Sequence, residues 1–345
     1  MTDQTAPRAL PDLAAIRDAL AGLPGPDDEA AAAAAAREPM LTKPEGALGR
    51  LEELAHWAAA WQGRHPAQVE HPRVAVFAGN HGVAARGVSA YPASVTAQMV
   101  RNFIAGGAAV NQLCRIADAD LRVYELALDS PTNDFTQGPA MSPADCAGAI
   151  AYGMTAVEPG IDLLAVGEMG IANTTSAAAL CAALWGGDAG AWVGPGTGVR
   201  GAALAAKIEA VEAGIAANGA ALGEPLMVLA ALGGRELAAI VGAVLAARLA
   251  RVPVLLDGYA ATAAASALYA VDARALDHCR VAHLSAEPAH RALCERIGQR
   301  PLLDLGMRLG EASGAALAIQ LVRAAVECHR GMATFEEAAV SSKAG

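Results

Sequence analysis

Two carboxylates stand in loops from which a sheet would present them to a ligand. Glu311 lies in Asp304-Leu305-Gly306-Met307-Arg308-Leu309-Gly310-Glu311-Ala312-Ser313-Gly314, between an apolar run, Pro301 to Leu305, and an apolar-periodic segment ending near His329. This order predicts a helix opened by Glu311 at the lip of a sheet, the place where open α/β sheets bind ligands. Glu168 lies in Gly167-Glu168-Met169-Gly170-Ile171-Ala172-Asn173-Thr174-Thr175. A carboxylate at a strand's carboxyl end, glycines that admit a ligand to the backbone N–H groups, and hydroxyls at a helix start near Asn173 or Thr174 could together hold an anion. Both features also have an ordinary reading. An acid in a first helical turn complements the macrodipole, worth about 0.3–1 kcal/mol, and a polar βα turn caps its helix.

The elements that must position these residues alternate. Val74 to Gly79 is a short, continuous apolar run, as in a strand covered on both faces, and it ends in the loop Asn80-His81-Gly82-Val83. A helical pattern from Pro92 to Ile116, interruptible at Gly106-Gly107, leads to a strand at Leu121 to Leu128. A helix at Ser142 to Val157 leads to a strand at Ile161 to Val166. Two more strands, Val252 to Leu256 and Cys279 to Leu284, end in Asp257-Gly258 and in Ser285-Ala286-Glu287. Strand–helix alternation implies right-handed crossovers and a mainly parallel, doubly wound α/β sheet, Rossmann-like in plan. In such a sheet Asn80, His81, Glu168, Asp257, Ser285 and Glu311 fall along one edge, and this convergence argues for a cleft.

Composition excludes several classes. The chain has 345 residues and a hydrophobic fraction of 54%, largely alanine, yet its longest apolar spans fall short of a bilayer crossing. A net charge of −10 without a Lys/Arg cluster argues against nucleic acid as a partner. The six cysteines are scattered, with no C-x-x-C pair and no histidine at metal-ligand spacing; they read as small core residues of a reducing compartment. No basic, then apolar, leader opens the chain, so a cytoplasmic location is expected, with no membrane partner, no resident metal and no cofactor. Gly194-Pro195-Gly196-Thr197-Gly198, followed by a helix carrying Lys207, matches neither G-x-G-x-x-G nor G-x-x-x-x-G-K-[ST]. That disfavours a nicotinamide-dependent oxidoreductase. Upstream of the sheet, Pro24-Gly25-Pro26 and Asp27-Asp28 introduce an alanine helix from Glu29 to Arg37, and Leu48, Leu51 and Leu54 mark a second amphipathic helix.

In this order, LTKPEGALGRLE (41–52), NHGV (80–83) with Val95-Thr96-Ala97, GEMGIANTTSAAA (167–179), LGGRELAAIVG (232–242), VPVLLDGY (252–259), HLSAE (283–287) and MRLGEASGAALA (307–318) resemble the nicotinate-nucleotide:5,6-dimethylbenzimidazole phosphoribosyltransferases of cobalamin nucleotide-loop assembly. The resemblance spans Leu41 to about His329. It implies a homodimer with a large doubly wound α/β domain, residues 73–318, and a small helical domain built from residues 1–72 and 319–345. It places Glu311 on the family's catalytic base and Glu168 on its second acid. Lys207, Ser285 and the turn Gly170 to Thr174, with Asn173, fall on positions that hold phosphate and ribose. Asn80, His81, Tyr91, Met99, Met169, Asp257 and Leu309 complete the expected substrate contacts. The family often has Asp where Asn80 stands, Gly where Ala312 stands, and Ser and Gln where Tyr91 and Met99 align, so a bulkier, less polar base pocket is expected. The alternatives are a phosphoribosyltransferase of the same fold acting on another azole or purine, and a non-catalytic nucleotide-binding module.

Overall fold

The structure, a computed structural model, describes residues 12–341. The opening eleven and last four residues, which the sequence reading gives to the small helical region, lie outside the described residues. Three helices come first: α1 (Leu13–Ala21), α2 (Asp28–Arg37) and α3 (Arg50–Gln62). Asp27 caps α2 by accepting from the Ala30 amide, with Asp28 and Glu29 in the first turn, so the acids complement the positive helix end as their spacing suggests.

The sheet then begins. β1 (Pro72–Gly79) is followed by α4 (Ser94–Ile104), α5 (Ala109–Ala117) and β2 (Asp120–Leu126), then α6 (Pro143–Met154) and β3 (Leu163–Met169). Next come α7 (Asn173–Trp185), α8 (Ala189–Trp192), α9 (Ala202–Ala217), α10 (Pro225–Leu232), α11 (Arg235–Leu249) and β4 (Val254–Leu256). The chain closes with α12 (Tyr259–Val271), β5 (Cys279–Val281), α13 (His290–Arg296) and α14 (Ser313–Gly331). The predicted Pro92–Ile116 segment is two helices because Gly106 takes φ +80°, which ends the first.

Every strand pair is parallel, in the order β2-β1-β3-β4-β5. The order reverses between β1 and β3, so the switch point, where doubly wound sheets bind ligands, lies at the carboxyl ends of those two strands. β1 is buried along its whole length, whereas β2 forms an edge with charged residues facing out. Alternation along the strands decides the two faces. Ala75, Phe77, Leu164 and Val166 join α6, α7, α10, α11 and α12 in one core, while Val74, Val76, Leu163 and Ala165 meet α3, α5 and α14 in the other.

The apolar run Pro301 to Leu305 pairs beside the continuation of β5 through one bridge, His283 to Leu303, and its last residues, Asp304 and Leu305, are exposed. Glu311 does not open the last helix as predicted. α14 starts at Ser313, and Gly310, Glu311 and Ala312 take φ of +81°, +62° and +59° ahead of it. Glu311 is turned back because its amide donates to the carbonyl of Glu168 at 3.0 Å.

Helices α6 and α11 cross at backbone contact. A Cβ at Gly242 would sit 1.8 Å from the Ile150 carbonyl oxygen, and one at Gly153 would sit 1.9 Å from that of Ala239. In an isolated helix Gly→Ala gains about 1 kcal/mol; here overpacking against rigid backbone, about 1–3 kcal/mol, outweighs it. Gly242→Ala is therefore expected to lower the melting temperature in thermal denaturation, and an unchanged or raised midpoint would refute the close crossing.

Candidate active site

A cavity of about 720 Å³ opens at the carboxyl edge of β3, beside the switch point. Glu168, at the end of β3, forms part of its wall and accepts from the side-chain amide of Asn173, the first residue of α7. Burial, and then the negative charge of Asp257, push Glu168 well above the usual carboxylate range, which the Asn173 bond only partly offsets. Gly310 makes room for it, since a Cβ there would come within 2.8 Å of Glu168 Oε1.

Glu311 faces the same cavity. It is 6% exposed, and burial raises its carboxyl to about 7. A carboxylate at a helix start is normally held low by the macrodipole; Glu311 escapes that because it precedes α14 and is enclosed by protein. Beneath it, Asp257 follows β4 and caps α14 from another segment, accepting from the Ala315 amide at 2.9 Å. Burial lifts Asp257 to about 7 despite its backbone hydrogen bonds, with the Glu311 charge adding to the rise. His283 Nε2 lies 3.5 Å from Asp257 Oδ1, and burial keeps this imidazole below its ordinary value.

The opposite wall is a Gly-rich loop. Glu287 Oε1 accepts from the Gly196 amide at 2.8 Å, and Arg308 donates to the Gly196 carbonyl at 2.8 Å. Thr197 Oγ1 accepts from the Ala90 amide at 2.9 Å and pairs with Ser89 Oγ at 3.0 Å, tying this loop to the segment that carries Tyr91. Lys207 is fully buried behind the loop, donating to Thr174 Oγ1 at 2.8 Å and to the Gly194 carbonyl at 2.9 Å. Burial lowers it to about 8, against the pull of Glu287.

Of the residues singled out in the sequence, Glu168, Met169, Gly170, Asn173, Thr174, Ser285, Glu311, Tyr91, Met99 and Leu309 share this cavity. Four do not line it. Asn80 is buried and donates to the Leu128 carbonyl. His81 is buried between Glu236 Oε1, at 2.6 Å, and Ser176 Oγ, at 2.9 Å, behind Gly170. Lys207 and Asp257 support the walls from beneath, as described. Strand-end position brought Asn80, His81 and Asp257 to the correct edge, and Lys207 reaches it from α9, but side chains that turn inward under the loop cannot be told from those that turn outward by period alone. Glu287, Arg308, Thr197 and His283 also line the cavity and were not singled out. Glu287 and Arg308 sit inside the quoted HLSAE and MRLGE stretches, two and three residues from Ser285 and Glu311, and that proximity was the available signal.

A doubly wound parallel sheet with paired acids over its switch point defines a ligand-binding α/β enzyme class in which chemistry is done at strand ends. Comparison with known proteins narrows this. A family model described as phosphoribosyltransferase matches residues 23–340. A nicotinate-nucleotide–dimethylbenzimidazole phosphoribosyltransferase of Rhizobium meliloti is 58% identical over 95% of this chain and 97% of its own. One from Methylocella silvestris is 57% identical over 96% of this chain and 98% of its own. The crystal structure of the enzyme of that name from Thermus thermophilus superposes with a TM-score of 0.85 at 43% identity, covering 92% of this chain and all of that one. The chain belongs to the nicotinate-nucleotide–dimethylbenzimidazole phosphoribosyltransferase family. Among the described residues no helix is long and apolar enough to cross a membrane.

Proposed function

We propose that this chain transfers the 5-phosphoribosyl group of nicotinate mononucleotide to 5,6-dimethylbenzimidazole, giving α-ribazole 5′-phosphate and nicotinate for cobalamin nucleotide-loop assembly. The observation that carries it is the placing of two acids, Glu311 and Glu168, on one cavity beside the switch point of the sheet. The pyridinium nitrogen departs neutral, taking the electrons of its bond to the anomeric carbon, so nicotinate needs no general acid to leave. One azole nitrogen of the incoming base forms the new bond from the opposite face, which inverts β to α. The other azole nitrogen gives its proton to Glu311, a base poised near neutrality. Positive charge gathering on the ribose is met by the carboxyl oxygens of Glu168.

Tyr91, Val95, Met99 and Leu309 offer the aromatic ring an apolar surface, and among the described residues Arg308 is the only Lys or Arg lining the cavity. The phosphate is given to Arg308, the Thr174 hydroxyl and the amides at the start of α7. Lys207 acts through Thr174 and the Gly194 carbonyl, whose positions it fixes; Asp257 acts by holding α14 behind Glu311. Asn80 and His81 act likewise through the loops they anchor. The same reading has a cytoplasmic homodimer, with Tyr91 and Leu309, 56% and 55% exposed at the cavity mouth, giving a partner an apolar rim to cover. It also keeps a small helical domain from the chain ends, supported by Arg37 donating to the Met332 carbonyl at 2.9 Å and by the Leu41–Thr334 bridge.

The direct test is mass detection of α-ribazole phosphate, with one nicotinate released per product. Nicotinate release with another azole or purine but not with dimethylbenzimidazole would favour the same transfer to a different base. No nicotinate release with any base would overturn the proposal. Tyr91→Ala is expected to raise KM for the base about 3- to 10-fold, the worth of one aromatic contact, with KM for the nucleotide little changed in steady-state kinetics.

A further inference from the structure

Away from the cavity, two imidazoles converge on one carboxylate where the N-terminal helices meet α14, and a third lies behind them. Glu38 follows α2, His56 is on α3, His65 follows α3, and His329 is in the last turn of α14. Glu38 Oε2 lies 2.7 Å from His329 Nδ1 and 3.3 Å from His56 Nε2. One donor atom from each of Glu38, His56 and His329 falls within 4.8 Å of the other two. His65 Nε2 lies 3.1 Å from His329 Nε2. The His56 Nε2 atom is buried without a hydrogen bond, although it points at this carboxylate.

We propose that Glu38, His56 and His329 bind a divalent transition-metal ion, with Zn²⁺ as the probe ion, and that His65 orients His329 as a ligand. Metal–ligand bonds of about 2.0–2.2 Å in a tetrahedral shell require donors roughly 3.3–3.5 Å apart. The Glu38–His56 separation already matches, and the Glu38–His329 pair needs to open only by the difference between a hydrogen bond and two metal bonds. Without metal, His329 donates from Nδ1 to Glu38. With metal, Nδ1 supplies its lone pair, the proton sits on Nε2, and His65 Nε2 accepts it. A metal-bound histidine whose second nitrogen is fixed in this way has a set tautomer and a more basic donor. Imidazole nitrogens with one carboxylate suit zinc, nickel or copper better than calcium or magnesium.

The surrounding charges divide. Lys43 Nζ, 2.7 Å from Glu38 Oε1, opposes a cation, but Glu52 lies 2.8 Å from the same ammonium and offsets it. Arg37 is turned onto the carbonyls of His329, Arg330 and Met332. The ligands come from residues 38, 56 and 329, so no motif of fixed spacing announces them. A bound ion would join the segment after α2 to α3 and α14.

Isothermal titration of the intact protein with ZnCl₂ at neutral pH tests this. One Zn²⁺ per chain is expected, with the metal raising the melting temperature. His56→Ala, chosen because its ring is 34% exposed and tolerates truncation, should abolish that binding while keeping the metal-free melting temperature and the transferase activity. His65→Ala should weaken binding about 10- to 100-fold, as loss of an orienting partner does. Cobalt should give the visible bands of a four-coordinate nitrogen–oxygen site. No binding by the wild type, equal binding by His56→Ala, or a thiolate charge-transfer band from Cys328 would each overturn the site.

Discussion

Glu311→Gln lowers kcat about 10²- to 10⁴-fold, the range a positioned proton acceptor contributes, with the affinity for nicotinate mononucleotide largely kept. The amide keeps the side chain's shape and loses only the ability to take a proton. The wild-type rate has a matching pH limb. Glu311 must be ionised to act and titrates at about 7, so kcat rises with pH through that value and levels above it. Asp257 titrates near the same value and is coupled to Glu311 by charge, so the limb belongs to the acid cluster as a whole. Its loss in the Gln variant shows that the limb requires the Glu311 carboxyl. A Gln variant with wild-type kcat, or with the limb unchanged, would remove Glu311 from the chemistry.

Stability supplies an independent reading of the same group. The native Glu311 carboxyl binds its proton more tightly than the unfolded one, whose value is 4.5. Between 4.5 and about 7 the folded state therefore holds more protons, and folding stability falls as pH rises through that window. At about 1.4 kcal/mol for each unit, the ionised side chain costs on the order of 3 kcal/mol above about pH 7. Glu311→Gln should thus melt higher than wild type in mildly alkaline buffer, and the gap should close as pH falls below 4.5. Gain of stability with loss of turnover is the behaviour of a site that carries its strain for function.

Gly167→Ala is expected to damage fold and site together. A Cβ at this position in β3 would lie 2.2 Å from the amide nitrogen of Ala312 and 2.4 Å from its Cα. These are backbone atoms, so no flexible side chain can give way. Either β3 shifts within a sheet buried on both faces, or Glu311 and Ala312 leave their left-handed turn and the Glu311–Glu168 backbone bond breaks. Overpacking costs about 1–3 kcal/mol where neighbours can relax, and a contact with fixed backbone belongs at the upper end. Denaturant unfolding should show a lowered midpoint, and the folded fraction should turn over more slowly than wild type because its base is displaced. A variant with wild-type midpoint and kcat would show that the turn is not held against β3.

How much was legible beforehand follows from what kind of information each feature needs. β1 and β3 announce themselves because strands buried on both faces must be apolar throughout, and Glu168 was legible because its place at the end of such a strand fixes which edge it occupies. Glu311 was found for the wrong local reason. A Gly-punctuated turn before an apolar helix reads as a first-turn acid, whereas its left-handed backbone is imposed by hydrogen bonding to Glu168, a residue far away in sequence. Pattern alone places Lys207 only on a helix, and its burial depends on Thr174 and Gly194 arriving from other segments.

The sequence by itself determined the alternation of strands and helices, the parallel sheet, the edge at which polar residues gather and, through its motifs, the family. These are set by periodicity and by residue types that any fold of this plan must respect. Only the tertiary structure decided which of those residues face the cavity and which support it from beneath, which carboxyls are lifted to near neutrality, and which histidines meet where the chain ends join. Burial, pKa and ligand geometry depend on the distances between segments brought together by packing, and no local spacing contains those distances.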